Sequence, residues 1–358
     1  MKICFIFGNL CVSDGVARAA TNIVNLLAPE GHEITVIPLY RVEEEAKARL
    51  DKRVRVKPVF GTYFKGMAKM IRYFCPQWIL EKLIFDEKYD IEVAFQYDVP
   101  TLVVGRSSHK DARHYCWMHG YDTGLVFRSS YLKMDRIYCV SRYNRDRLDK
   151  ELGDVPKPLI ETCYNLSDDS IIQKKGKDPI ELKKKGFTFC TVGRLSPEKG
   201  FLRLQECLRR LLDEGYDVNL WIVGDGPQRE ELLAKQKELH LEDAVVFTGA
   251  KNNPHPYSAN ADCFVCSSHS EGYSTVCTEA IILGTPVLTT RVPGGEEIIE
   301  SAEAGLVVDN DDEALYQGMK YILDHQELLP VWRKTIETTK EKFSLKTREA
   351  KVLDIFKD

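Results

Sequence analysis

Phe187-Thr-Phe-Cys-Thr-Val-Gly193-Arg194-Leu-Ser-Pro-Glu-Lys199-Gly200 decides how the chain is read. A run of aromatic and β-branched residues ends at a glycine, and a polar turn then leads into an apolar-periodic stretch. That is a buried strand, a loop and a helix, the repeating unit of parallel sheets. Two cations, Arg194 and Lys199, follow the strand five residues apart. Cations beyond the carboxyl end of a strand suit a diphosphate, Arg as a fork and Lys as a point charge. The same letters, read alone, also fit a solvated surface turn, with Ser196 as a candidate helix cap.

Outward from this stretch the alternation recurs. Further strands are expected at 219–223, 244–247, 263–266 and 286–289 downstream, and at 3–7, 33–38, 91–95, 114–118 and 136–140 upstream. Two such series predict an α/β chain with two Rossmann-like, doubly wound parallel sheets. The length of 358 residues also suits about two domains. The polar stretch 166–185 separates the series, giving domains 1–168 and 169–340, with a last helix, 341–358, expected to pack back on the first domain. Open α/β sheets bind ligands beyond the carboxyl ends of their strands, so a cleft between the two sheets is the expected site.

Fifty Lys+Arg against 54 Asp+Glu give a net charge of -4, which speaks against a general nucleic-acid binder. The charge is uneven: residues 1–170 hold 25 basic and 23 acidic side chains, and 171–358 hold 25 and 31. Within the first half, 52–80 carries Lys52, Arg53, Arg55, Lys57, Lys65, Lys69 and Arg72 and no acid. Met67, Met70, Ile71 and Phe74 fall at i, i+3, i+4 and i+7 among these cations, until Pro76 breaks the pattern. A basic amphipathic helix over 63–84 fits an anionic membrane surface; an ordinary domain helix with solvated lysines fits as well.

The amino end lacks a signal-peptide profile, and no run of 18 apolar residues occurs. Eleven cysteines scattered through apolar runs read as reduced core thiols of a cytoplasmic protein. Cys263-Phe-Val-Cys266 has redox or zinc spacing, but no second pair accompanies it and no metal site is expected.

Three more stretches could carry chemistry. Gly8-Asn-Leu-Cys-Val-Ser-Asp-Gly15 opens a helix, where backbone N–H groups can meet an anion, yet it lacks the G-x-G-x-x-G fingerprint of a nicotinamide site. Ile222-Val-Gly224-Asp-Gly-Pro227 and Phe247-Thr248-Gly249 are glycine turns at strand ends, where a base or ribose could lie. The strongest local feature is Ser267-Ser-His-Ser-Glu271-Gly-Tyr273-Ser274-Thr275-Val276-Cys-Thr-Glu279. Glu279 sits on an otherwise apolar helix, which is costly for a carboxylate unless it is paired. Hydroxyl groups of a ribose or hexose would satisfy it, and the helix start would offer N–H groups to phosphate. Capping or surface glutamates are the plainer alternative.

Together with Gly284-Thr-Pro and Pro293-Gly-Gly-Glu-Glu, these stretches resemble the retaining glycosyltransferases of family 4, which have the GT-B fold. The resemblance is dense over 187–310 and thinner in the amino half. It departs from the family pattern at Asp14-Gly15-Val-Ala-Arg18 and in the compact spacing after Pro293. It implies a hexosyl transfer from a nucleoside-diphosphate sugar, a UDP-sugar first, to a sugar or lipid-linked glycan acceptor, without a metal cofactor. Arg194 and Lys199 would hold the diphosphate, and Glu271 the donor sugar. Glu279 would bind the ribose, and Gly15, Gly193, Gly224, Thr248 and Gly249 would line the donor site. Tyr273, Ser274, Thr275 and Val276 would surround the sugar and phosphates. His119, after the strand that ends Trp117-Met118, would stand beside the sugar. A nucleotide-sugar epimerase of the same fold and a non-catalytic nucleotide-sugar binder are the competing readings. A cytoplasmic enzyme, peripheral on the inner face of the membrane, is the expected location.

Overall fold

The computed structural model describes residues 1–12, 14–120 and 127–357, so Ser13 of the first loop lies outside the described residues. The chain divides into two compact units, Met1–Leu166 with Glu349–Asp358, and Ser167–Arg348.

The first unit holds a seven-stranded sheet: β1 (Lys2–Phe7), β2 (Glu33–Pro38), β3 (Arg55–Val56), β4 (Ile91–Ala94), β5 (Arg113–Met118), β6 (Arg136–Cys139) and β7 (Leu159–Thr162). Its order is β3-β2-β1-β4-β5-β6-β7, and every pair is parallel. Helices cover both faces of such a sheet, which is why β1 can be apolar along nearly its whole length. The helix Gly15–Leu27 starts where the Asp14 carboxylate accepts from the N–H of Val16 at 2.8 Å and of Ala17 at 3.3 Å. Its buried stripe is Ala17, Ala20, Ile23, Val24 and Leu27. The last turn of the chain closes this unit's core: the Phe356 ring lies 5.8 Å from Phe5 and stacks on Trp117 at 6.3 Å and 4°.

Two helices follow the basic run, Met67–Phe74 and Gln77–Ile84, parted at Pro76. The expected amphipathic face is split. Met67 and Ile71 are buried in the first unit's core, whereas Met70 and Phe74 face solvent. A helix of two turns touches the core along one i, i+4 row, and the neighbouring row is left outside. Tyr73, at 64% exposure, Phe74 at 81% and Trp78 at 66% make the outward side aromatic. Much of the basic excess is neutralised in the fold. Arg53 pairs with Asp51, Arg55 with Asp86 and Glu87, and Arg72 donates to Asp98 at 2.6 Å.

The second unit holds six parallel strands: β8 (Phe187–Val192), β9 (Val218–Val223), β10 (Val245–Gly249), β11 (Cys263–Cys266), β12 (Val287–Thr290) and β13 (Gly305–Val308). Their order is β10-β9-β8-β11-β12-β13. In both sheets the order reverses once, beside β1 and β4 in the first and beside β8 and β11 in the second. Ligands bind open α/β sheets at such a reversal, beyond the strand carboxyl ends. Cys263 and Cys266 lie three residues apart on β11 and so point to opposite faces of the sheet. They do not form a paired site, and all eleven cysteines are free thiols.

Candidate active site

The reversal in the second sheet brings together the loop after β8 and the loop after β11. Lys199 Nζ donates to Glu271 Oε1 at 2.7 Å, and Ser268 Oγ donates to the same oxygen at 2.7 Å. Both charged side chains are largely buried. Burial alone would lower the Lys199 pKa, but the Glu271 charge and hydrogen bond more than offset it, so the pKa is raised. Lys199 therefore keeps its proton through the neutral range. Arg194 is exposed and forms no ion pair among the described residues.

Backbone contacts fix this corner closely enough to require glycine. Gly200 has φ +66°, and a Cβ there would lie 2.1 Å from the Ser267 carbonyl oxygen. Gly224 has φ +150°, and its Cβ would fall 1.8 Å from the Gly193 carbonyl oxygen. Gly193 in turn faces the Lys199 stem, so the glycine turns after β8 and β9 touch directly beside the lysine. The Gly224 N–H donates to the Gly249 carbonyl at 3.0 Å, and Thr248 Oγ1 donates to the same oxygen at 3.0 Å. Ser196 does not cap through its side chain; its hydroxyl donates to Glu198 Oε1 instead.

Four residues that the sequence reading passed over hold the rest of the site. Arg203, 5% exposed, donates through Nε and Nη2 to the Ser267 carbonyl at 2.9 and 2.6 Å. The same Nη2 donates to the Ser268 carbonyl and to Asn310 Oδ1, each at 2.8 Å. Thr290 Oγ1 adds a bond to the Ser268 carbonyl at 2.7 Å, and Asn310 Nδ2 one to the His269 carbonyl at 2.9 Å. The loop that presents Glu271 is thus held by its carbonyls. A signal for Arg203 existed: it falls on the stripe of Cys207 and Leu211, a cation on an apolar helix face. The fourth residue, His255, puts Nδ1 3.8 Å from Glu279 Oε2, with both side chains 13% exposed.

The helix Thr275–Ile282 carries Glu279 and begins at Ser274, whose buried hydroxyl accepts from the Cys277 N–H at 3.4 Å. Tyr273 and Ser274, expected around the donor sugar and phosphates, have buried side chains. Tyr273 is bonded through its hydroxyl to Arg348 at 2.7 Å. A tyrosine can be fully buried when its hydroxyl finds such a partner. Thr275 and Val276 are half-buried at the helix start, where the first N–H groups have no acceptor within the helix.

Gly15 and His119 belong to the first unit. Gly15 is the exposed first residue of its helix, with open space where a side chain would be. His119 follows β5, its ring 4.9 Å from Phe95. Its Nε2 is buried and has no hydrogen-bond partner among the described residues. Burial lowers its pKa to about 4, so the imidazole is neutral at pH 7.

Comparison with known proteins agrees with this architecture. Residues 13–170 match the model of Glycosyltransferase Family 4, and residues 173–339 that of Glycosyl transferases group 1. The lipopolysaccharide core biosynthesis glycosyltransferase LpsE of Rhizobium meliloti is 34% identical over 316 residues, 88% of this chain and 87% of that protein. The N-acetylgalactosamine-N,N'-diacetylbacillosaminyl-diphospho-undecaprenol 4-alpha-N-acetylgalactosaminyltransferase of Campylobacter jejuni is 34% identical over 215 residues; the match spans 60% of this chain and 57% of that relative. HepE of Anabaena, solved with UDP and glucose, has the same fold, with a TM-score of 0.77 at 17% identity over 99% of each chain. The two matched models and the full-length relative show that the chain belongs to the family 4 glycosyltransferases, with the GT-B fold.

Proposed function

We propose that this glycosyltransferase moves a hexosyl group, with retention of configuration, from a UDP-sugar to a lipid-linked glycan in the synthesis of a surface polysaccharide or glycolipid. The observation that carries the reading is the Lys199–Glu271 pair at the reversal of the second sheet. A lysine and a carboxylate held against each other there form a site with one charge for each end of a glycosyl diphosphate. Lys199 and the exposed Arg194 take the diphosphate, whose negative charge grows as the glycosidic bond breaks. Glu271 accepts hydrogen bonds from the donor sugar, and Glu279 accepts from the ribose hydroxyls. The N–H groups at the start of the Thr275–Ile282 helix face the phosphates, while Tyr273 and Ser274 contribute backbone. No metal is needed in this scheme, because the two cations offset the leaving charge.

The lipid-linked acceptor is supported by the names of the relatives, one a polyprenyl-diphosphate glycan transferase and one a lipopolysaccharide core enzyme. The outward aromatic side of 63–84, with exposed Lys65, Lys69 and Lys82, has the composition of a segment lying in a bilayer interface. No helix among the described residues is long and apolar enough to cross a membrane.

The decisive experiment compares UDP binding by the wild type and Lys199→Met. Methionine keeps the stem beside Gly193 and removes the ammonium group, with its charge and its hydrogen bond to Glu271. A charge-assisted phosphate contact is worth about 1.5–3 kcal/mol, so the Kd rises about 10- to 100-fold. A variant that binds UDP as tightly as the wild type refutes the assignment of Lys199. Retention is read from the anomeric proton of the first-formed product by NMR.

A further inference from the structure

We infer that Arg348 is a positioning residue for the donor loop, acting through Tyr273. This rests on the donor-site reading of 271–279 given above.

Arg348 lies on the helix Leu345–Ile355 and is the last residue of the second unit. It is 8% exposed, and its Nη2 donates to the Tyr273 hydroxyl at 2.7 Å. Its guanidinium also stands 5.5 Å from the Tyr273 ring centre and 5.2 Å from that of Phe343. Thr278 Oγ1 donates to the same tyrosine oxygen at 3.4 Å. On another side Gly294, with φ +75°, lies against the ring: a Cβ there would come within 2.8 Å of Cδ2. The tyrosine is therefore gripped at its hydroxyl and along its ring.

Its place in the chain gives that grip a consequence. Tyr273 stands two residues after Glu271 and immediately before Ser274, the cap of the helix that carries Glu279. Fixing this one ring fixes the backbone between the two carboxylates. An apolar residue at 348 could fill the same volume, and replacing buried charge by well-packed apolar groups is often neutral for stability. What an apolar residue cannot do is hold the hydroxyl. The geometry thus predicts that losing the Arg348–Tyr273 bond loosens the loop and weakens nucleotide binding, beyond any change in melting temperature.

The test uses the full-length protein and isothermal titration with UDP, GDP and ADP at 25 °C, alongside melting curves. The tightest nucleotide for the wild type then serves as probe for Tyr273→Phe, Arg348→Gln, Arg348→Lys and the Tyr273→Phe/Arg348→Gln double variant. The expected result is a rise in Kd of about fivefold to tenfold in Tyr273→Phe and in Arg348→Gln, the scale of one buried hydrogen bond. The double variant is no weaker than either single one, since both remove the same interaction. Arg348→Lys, which can still donate to the hydroxyl, recovers most of the affinity. A lowered melting temperature with Kd within twofold of the wild type overturns the inference, as does a double loss equal to the product of the single losses. Should Arg348→Gln fail to fold, Tyr273→Phe decides by the same Kd criterion. A wild type that binds none of the three nucleotides overturns the donor-site reading itself and the inference with it. Wild-type binding with unaffected variants overturns the inference alone.

Discussion

Replacing Arg203 by methionine removes the clamp under the Glu271 loop while leaving the aliphatic stem to pack. The Ser267 carbonyl loses both donors that Arg203 supplies, and Asn310 Oδ1 loses one. The Ser268 carbonyl keeps Thr290. The buried Ser267 carbonyl is thus left without these donors, at about 1–3 kcal/mol, while the exposed Asn310 can turn to water. For a unit the size of Ser167–Arg348, 1 kcal/mol moves the melting temperature by about 2–4 °C. The expected shift is therefore about 2–12 °C, read by differential scanning calorimetry on the whole chain. Arg203→Lys recovers part of it, because one ammonium group cannot span three acceptors. A loss below about 2 °C in Arg203→Met would show that the loop is held by something other than this guanidinium.

Two further outcomes can be checked independently. The His119 pKa is lowered by burial to about 4, below its ordinary 6.5, so the unfolded state binds a proton first. The His119 contribution to stability is complete above pH 6.5 and is lost as the pH falls toward 4. Urea titrations of wild type and His119→Gln at several pH values should show a shallower acid loss in the variant, and parallel curves would refute the assignment. Changing Tyr73, Phe74 and Trp78 to serine should cut co-sedimentation with vesicles of mixed neutral and anionic phospholipid more than changing Lys65 and Lys69 to glutamine does. The reverse order would mean that charge and not aromatic insertion carries the contact.

The central strands were legible because a parallel strand buried on both faces is a continuous apolar run. Three strands were missed: β3, β7 and β13. All three lie at sheet edges, where a strand can be short or partly exposed: β3 is two residues long, β7 is half-exposed Leu-Ile-Glu-Thr, and β13 is four half-buried residues opened by Gly305. Lys199, Glu271 and Glu279 were legible because each follows a strand or breaks an apolar pattern. Arg203 gave only the signal of a cation on an apolar helix face, and Arg348 none, because what they hold lies 64 and 75 residues away in the chain. A donor whose acceptors are carbonyls leaves no complementary letter in the sequence. The amphipathic pattern at 67–74 gave the period but not the direction, since periodicity does not say which row of a stripe meets the core.

The return of the chain at Glu349 also bears on the order of synthesis. Phe356 lies against Phe5 and Trp117, so the first unit's core stays open until residue 356 has been made. The second unit, continuous from Ser167 to Arg348, has all its strands earlier. On the ribosome the half translated first is thus the half completed last. Until residue 356 emerges, aromatic surface on the first sheet is exposed to other chains and to chaperones.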